Sequence, residues 1–168
     1  MRWAGYNYSQ NGAYFITICT QNRRQYFGEI QPCLLAGEPS TLLPTPLATR
    51  ALQCWQEMTE HFHFAVPDAF VVMPDHVHGI VFFGKADTTT EQSGTFGPQR
   101  QNLASVVRGF TVGVKAWATR QHLEFVWQAG YYDRVTRDEN ELEKARQYIL
   151  NNPTQWPANQ DKPDGLFR

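Results

Sequence analysis

Two histidines stand one residue apart in an apolar stretch, VVMPDHVHGIVFF at residues 71–83. Side chains alternate between the two faces of a β-strand, so His76 and His78 are expected on one face, about 7 Å apart along the backbone. Two imidazoles on one face can bind a single divalent ion. A second pair, His61 and His63, follows a predicted helix, where residues two apart point about 200° apart and do not converge. The pair at His76 and His78 is therefore the better candidate for chemistry.

A tyrosine and an asparagine share one face of the last predicted helix. The apolar stripe of that helix consists of Leu142, Ala145 and Ile149. On a helical wheel Tyr148 and Asn152 border this stripe, one turn apart, so a phenol and an amide oxygen could face the histidine strand together. A tyrosine beside a core stripe is usually packing, and an asparagine before Pro153 is usually a helix stop. The helix alone does not decide between these interpretations.

The elements that would position these side chains follow from periodicity and turn residues. Strands are predicted at 13–20, 25–30, 69–83 with an interruption at Pro74, and 130–136, and helices at 46–61, 103–122 and 136–152. We expect the second strand to form a hairpin with the first, and the four prolines of 31–46 to exclude regular structure through much of that segment. Thr136 and Glu139 fit a capping box, and Pro153 is expected to stop the last helix. The order predicts an α+β fold with helices packed on an antiparallel sheet.

Length and composition predict a single domain spanning residues 1–168, with an exposed loop at 84–100. Three cysteines, an odd number at spacings that match no zinc pattern, are expected to be reduced thiols. No apolar run approaches the roughly 20 residues that span a bilayer, and no signal peptide is recognisable. We therefore expect a soluble cytoplasmic protein without a membrane partner.

Charge is unevenly distributed although the formal net charge is only −1. Residues 51–92 carry one lysine against six carboxylates, whereas residues 100–137 carry six cations against two carboxylates. The basic segment is compatible with a solvated surface and with a phosphate-binding surface.

The segments VVMPDHVHGIV and VWQAGYYDRVTRDENELEKARQYILNNP resemble the REP-associated tyrosine transposases, which are related to the IS200-type single-tyrosine HUH transposases. The likeness runs from about YFITICT to NNPTQW. It implies a ferredoxin-like HUH endonuclease fold in which His76, His78 and Asn152 bind Mg²⁺ or Mn²⁺ and Tyr148 is the nucleophile. Relatives often have glutamine at the position of Asn152. The implied partner is single-stranded DNA with a hairpin, cleaved and rejoined through a 5′-phosphotyrosine, and the implied assembly is a monomer or a homodimer.

The resemblance also suggests which cations contact DNA. The duplex stem would contact the three cations of the predicted middle helix, Arg108, Lys115 and Arg120. The scissile strand would contact Arg134 and Arg137, and unpaired bases would contact Arg2, Arg23 and Arg24, for which packing or a flexible tail is the alternative.

Some residues and functions remain open. Asp75 is expected to be a turn residue, with orientation of His76 as the alternative. Tyr131 and Tyr132 are not expected to be the nucleophile. Alternative functions are a domesticated hairpin-binding protein that does not cleave, an HUH replication initiator or relaxase, and a metal hydrolase without a DNA partner.

Overall fold

The computed structural model describes residues 12–84 and 102–159, with side chains up to residue 156. The strands are β1 Gly12–Cys19, β2 Gly28–Gln31, β3 Thr41–Pro44, β4 Ala65–Met73, β5 His76–Phe83 and β6 Tyr132–Thr136. The helices are α1 Pro46–Gln56, α2 Met58–His61, α3 Leu103–Arg120 and α4 Glu139–Asn159. Arg2 and the predicted loop after Gly84 lie outside the described residues. Of the helices described, none is both long and apolar enough to cross a membrane.

Four strands form one antiparallel sheet in the order β4-β5-β1-β6. β4 and β5 form a hairpin. β1 lies between β5 and β6, so these two strands, which α3 connects along the chain, are not neighbours in the sheet. This order is that of a ferredoxin-like sheet, and the expected α+β fold is confirmed.

The sheet buries both faces because its strands alternate between two apolar layers. From β1, Tyr14, Ile16 and Ile18 enter the core formed with α1 and α3. On the other face, Ala13 and Phe15 meet an apolar stripe of α4. That stripe consists of Leu142, Ala145 and Ile149. The helix therefore lies on the opposite side of the sheet from α3.

The predicted hairpin partner of the first strand is wrong. Gly28–Gln31 pairs with Thr41–Pro44 in a separate two-stranded sheet, because both edges of β1 are occupied by β5 and β6. The proline-rich segment thus contains a short strand, in which Pro44 is the last residue and needs to donate no ladder hydrogen bond.

The ends of two helices also differ from prediction. The helix expected at 46–61 is divided at Glu57 into α1 and α2. α4 does not stop at Pro153 but continues to Asn159, although proline interrupts the backbone hydrogen bonding. Burial of Trp156 in the turn after the proline favours the continuation.

The capping residue of α4 is Asp138 rather than Thr136. The Asp138 carboxylate accepts a hydrogen bond from the Glu141 amide at 2.8 Å, as an N-cap residue does. Glu141 in turn accepts one from the Arg137 amide at 2.9 Å. Thr136 instead donates its hydroxyl to the Ala13 carbonyl across the sheet.

Candidate active site

The two histidines of β5 converge as the strand period requires. Both rings are buried on the α4 face of the sheet, and their Nε2 atoms lie 3.0 Å apart. Each histidine is opposite a residue of β1, His78 opposite Thr17 and His76 opposite Cys19. The two central strands therefore position the pair.

Asp75 holds the ring of His76 from the turn between β4 and β5. His76 Nδ1 donates to Asp75 Oδ1 at 2.6 Å, and the other carboxylate oxygen accepts from Arg23 Nε at 2.9 Å. The turn is itself fixed, since the Asp75 carbonyl accepts from both the amide and the hydroxyl of Thr20. Asp75 is thus a turn residue, as expected, and it also orients His76.

The partners of the two rings determine which nitrogens carry protons. A carboxylate only accepts, so His76 carries its proton on Nδ1 and leaves Nε2 as an acceptor. In the neutral pair, His78 then donates from Nε2, and its Nδ1 accepts from the Thr17 hydroxyl at 2.8 Å. A hydroxyl can also accept, so Thr17 can bind His78 in the other tautomer, which frees both Nε2 lone pairs for a ligand.

Burial keeps both imidazoles neutral. It lowers the pKa of His76 below the usual 6.5, an effect that the neighbouring Asp75 carboxylate partly offsets. The pKa of His78 is well below 6.5, chiefly because the ring is buried and also because His76 is adjacent. Neutral rings are the form that binds a metal ion.

α4 lies across the histidine pair and presents three side chains to it. The Tyr148 ring is 5.4 Å from the His78 ring, and the Trp156 ring is 6.1 Å from the His76 ring. Asn152 is one helical turn from each of them on the same face and is only 2% exposed. Its amide is therefore buried on the face of α4 that packs over the two histidines.

The environment of Tyr148 opposes ionisation of its phenol. Partial burial raises the pKa of Tyr148 above 10, and the nearby Asn152 side chain offsets part of the rise. The ring also packs edge-on against Phe15 at 6.0 Å. A group that withdraws the phenol proton or stabilises the phenolate is needed for this tyrosine to act as a nucleophile.

The residues at this site fit a divalent ion. The two Nε2 atoms lie 3.0 Å apart, so both could bind one ion when neither carries a proton. Within the described part of the chain, the Asn152 Nδ2 atom is buried without a hydrogen-bond partner. Rotating the amide about its last bond exchanges Nδ2 for an oxygen, the atom that Mg²⁺ or Mn²⁺ would require. The described residues contain no group of three His, Cys, Asp or Glu side chains that could hold a metal, and Asn152 is the candidate for a third protein ligand.

The second histidine pair does not converge on a site. His61 is the last residue of α2 and His63 lies in the following turn, and both are exposed. His61 is therefore a suitable control residue for experiments on His76.

The cations proposed to bind DNA are scattered. The cations of α3 are Arg108, Lys115 and Arg120. All three are exposed but lie on the sheet face opposite the histidines, because the apolar side of α3 packs on the other layer. Lys115 additionally donates to the Phe125 carbonyl. The structure does not bring these cations to the site.

Of the other proposed cations within the described residues, Arg23 and Arg24 follow the end of β1 that carries the site, whereas Arg134 and Arg137 lie further from that end. Arg23 is paired with Asp75 and also donates to Cys19 Sγ at 2.9 Å. Arg24 is exposed and paired with Glu124 at 2.6 Å. The remaining two are Arg134 in β6 and Arg137 directly before α4. Of the four, Arg23 serves the site as a structural partner of Asp75.

Sequence reasoning missed Thr17 and Trp156. Thr17 is a buried polar residue in an apolar strand, and such a residue needs a hydrogen-bond partner, but the sequence does not show that the partner is His78. Trp156 was missed because the helix was expected to end before it. Its position four residues after Asn152 indicates a shared helix face only if α4 continues past Pro153.

Comparisons with known proteins concern the family and the fold of the chain. No protein-family model matches the chain. An uncharacterized protein of Haemophilus influenzae is 36% identical over 169 aligned positions, which cover 95% of this chain and 90% of that protein. A solved structure of a REP-associated tyrosine transposase bound to a REP hairpin is similar, with a TM-score of 0.61 and 18% identity, over 93% of this chain and 74% of that chain. The fold expected from the sequence resemblance is thereby confirmed.

Proposed function

Because this chain belongs to the same family as the uncharacterized Haemophilus influenzae protein and has the fold of a REP-associated tyrosine transposase, we propose that it cleaves and rejoins single-stranded DNA beside a hairpin. The observation that carries the proposal is the placement of the Tyr148 ring 5.4 Å from His78 by α4. A candidate nucleophile, two buried imidazoles and a buried amide thus lie near one another on one face of the sheet.

The proposed reaction is a phosphodiester exchange. The Tyr148 oxygen attacks the scissile phosphorus, forms a 5′-phosphotyrosine and releases a 3′-hydroxyl, so the total number of phosphoester bonds is unchanged. Attack on the phosphotyrosine by another 3′-hydroxyl restores the phenol and joins the strands. Since the bond energy is retained in the covalent intermediate, the exchange needs no nucleotide cofactor.

His76, His78 and Asn152 would hold Mg²⁺ or Mn²⁺. A divalent ion at this position would supply a positive charge that polarises a non-bridging phosphate oxygen and favours the phenolate over the phenol. Asp75 and Thr17 hold the two rings through their Nδ1 atoms, so the Nε2 atoms would remain available to the ion.

Covalent adduct formation tests the proposal. The protein is incubated with hairpin DNA from the flanks of its own gene, in Mg²⁺ or Mn²⁺, and separated on a denaturing gel. We expect the wild type to form a protein–DNA adduct and Tyr148→Phe to form none, because phenylalanine has no nucleophilic oxygen.

A matched pair of histidine variants tests which imidazoles contribute. His76→Ala should abolish cleavage, whereas His61→Ala should retain wild-type cleavage because His61 is exposed on another part of the molecule. Equal adduct with Tyr148→Phe would exclude Tyr148 as the nucleophile. Hairpin binding without an adduct from any variant would instead support a binding protein that does not cleave.

A further inference from the structure

Tyr132 lies in one row with the histidine site. In the sheet, Tyr132 of β6 is opposite Thr17 of β1, and Thr17 is opposite His78 of β5. Directly opposed residues of antiparallel strands point to the same face. The Tyr132 ring therefore projects from the face that carries the histidine pair, two strands away from His78.

The surroundings of Tyr132 leave its ring accessible. β6 is an edge strand of the four-stranded sheet, and Tyr132 is 39% exposed. α4 packs chiefly over β4 and β5, on the other half of this face. A strand of DNA reaching Tyr148 across β6 would therefore pass Tyr132.

A cation lies next to Tyr132 on the same face. Arg134 is two residues further along β6 and is opposite Phe15, whose ring contacts Tyr148. The Arg134 side chain is 41% exposed and forms an ion pair with Glu141 at 3.7 Å. Ion pairs at the surface contribute little to stability. An aromatic ring and a guanidinium thus follow one another along the strand, on the face of the sheet that α4 and the candidate nucleophile cover.

We propose that this face of β6 binds the unpaired DNA next to the scissile phosphate, with a base stacked on Tyr132 and a phosphate bound by Arg134. The inference rests on the proposed function, because it identifies which part of the DNA substrate approaches this face. Only unpaired bases offer a free ring for stacking, and a tyrosine ring stacks on every base. The face therefore favours single-stranded DNA over duplex DNA.

The test compares two DNA probes from the flanks of the gene in EDTA, so that no cleavage occurs. One is a fluorescein-labelled hairpin with a single-stranded tail of about ten nucleotides, and the other is the same hairpin without its tail. Tyr132→Ala should weaken binding of the tailed hairpin about 5- to 150-fold in fluorescence anisotropy and leave binding of the trimmed hairpin unchanged. Tyr132→Phe retains the ring and should bind both probes like the wild type.

Arginine variants test the phosphate contact. Arg134→Gln should weaken binding of the tailed hairpin and reduce its dependence on salt concentration, because one phosphate contact is lost. The control, Arg50→Gln, removes an arginine from α1 on the opposite side of the sheet and should keep wild-type affinity for the tailed hairpin. Thermal unfolding of each variant verifies that the fold is retained.

Wild-type affinity of Tyr132→Ala for the tailed probe would overturn the inference. So would an equal loss with both probes, which would assign Tyr132 to the hairpin instead of its tail. The adduct assay is independent of these results. An adduct on Tyr148 with unchanged binding by Tyr132→Ala refutes only the inference, whereas tail binding through Tyr132 without any adduct refutes only the proposed cleavage.

Discussion

At the scale of single residues, the site depends on side chains that act through the histidines. Asp75 accepts a hydrogen bond from His76 and forms an ion pair with Arg23. The Thr17 hydroxyl is hydrogen-bonded to Nδ1 of His78. Each of the two hydrogen bonds to Nδ1 restricts the rotation of one imidazole ring. The direction of the two Nε2 atoms is therefore determined before any ligand binds.

Replacing Asp75 tests this support. Asp75→Asn keeps the size of the side chain but removes the charge that fixes the His76 tautomer, so we expect about 10- to 100-fold weaker Mn²⁺ binding in isothermal titration calorimetry. The matched control is Glu124→Gln, which removes the carboxylate partner of an exposed arginine instead. Equal Mn²⁺ affinity in Asp75→Asn and wild type would show that the carboxylate does not position the ligand.

At the scale of elements, β5 must satisfy a different neighbour on each face. His78 and Ile80 face α4, while Gly79 between them faces the other layer. There Trp55 of α1 lies flat against Phe70, with ring centroids 4.5 Å apart. A Cβ added at Gly79 would lie 2.4 Å from the Trp55 ring, so the strand needs glycine at this position for close packing with α1.

A glycine pair tests this packing. Gly79→Ala should lower the free energy of unfolding by about 1–3 kcal/mol in urea denaturation, because Trp55 is buried and has no free space to move into. Gly84→Ala, just after the same strand, should have a much smaller effect, since a Cβ there has no atom within 4 Å. Similar free energies of unfolding for the two variants would mean that α1 can move away from residue 79 at little energetic cost.

At the scale of the whole molecule, the buried histidines make the fold sensitive to acid. Both have a pKa lowered below 6.5 in the folded chain, chiefly by burial, whereas in the unfolded chain they titrate near 6.5. Below that pH the unfolded state binds more protons than the folded state, so falling pH favours unfolding. The stability contributed by the neutral pair is thus fully present above pH 6.5 and is lost as pH falls towards the folded-state values.

Urea denaturation in EDTA at a series of pH values measures this linkage. We expect the free energy of unfolding of the wild type to fall as the pH is lowered from about 7 to about 5, and to fall less steeply in His78→Gln, which removes one buried imidazole. His61→Gln should keep the wild-type slope, because the His61 ring is exposed in the folded chain. The same slope in His78→Gln as in wild type would contradict a titrating role for the buried ring.

Local patterns in the sequence determined the main elements and the direction of the histidines. A strand period of two sends His76 and His78 to one face regardless of what packs on it, and the wheel of the last helix separates its buried stripe from Tyr148 in the same local way. Spacing likewise distinguished this pair from His61 and His63. Local patterns failed where long-range contacts decide, as for β2, whose partner is β3 because both edges of β1 are occupied.

Only the tertiary structure decided what surrounds the histidines. Thr17 lies 61 residues before His78 and Trp156 lies 80 residues after His76, so their contacts arise from sheet register and from docking of α4. Burial of Trp156 favours a helix that a local proline opposes. Sheet order also placed Tyr132 in the same row as His78, and packing placed α3 and its cations on the opposite face. The face on which a side chain lies follows from the local strand period, whereas its neighbours on that face depend on the folded chain.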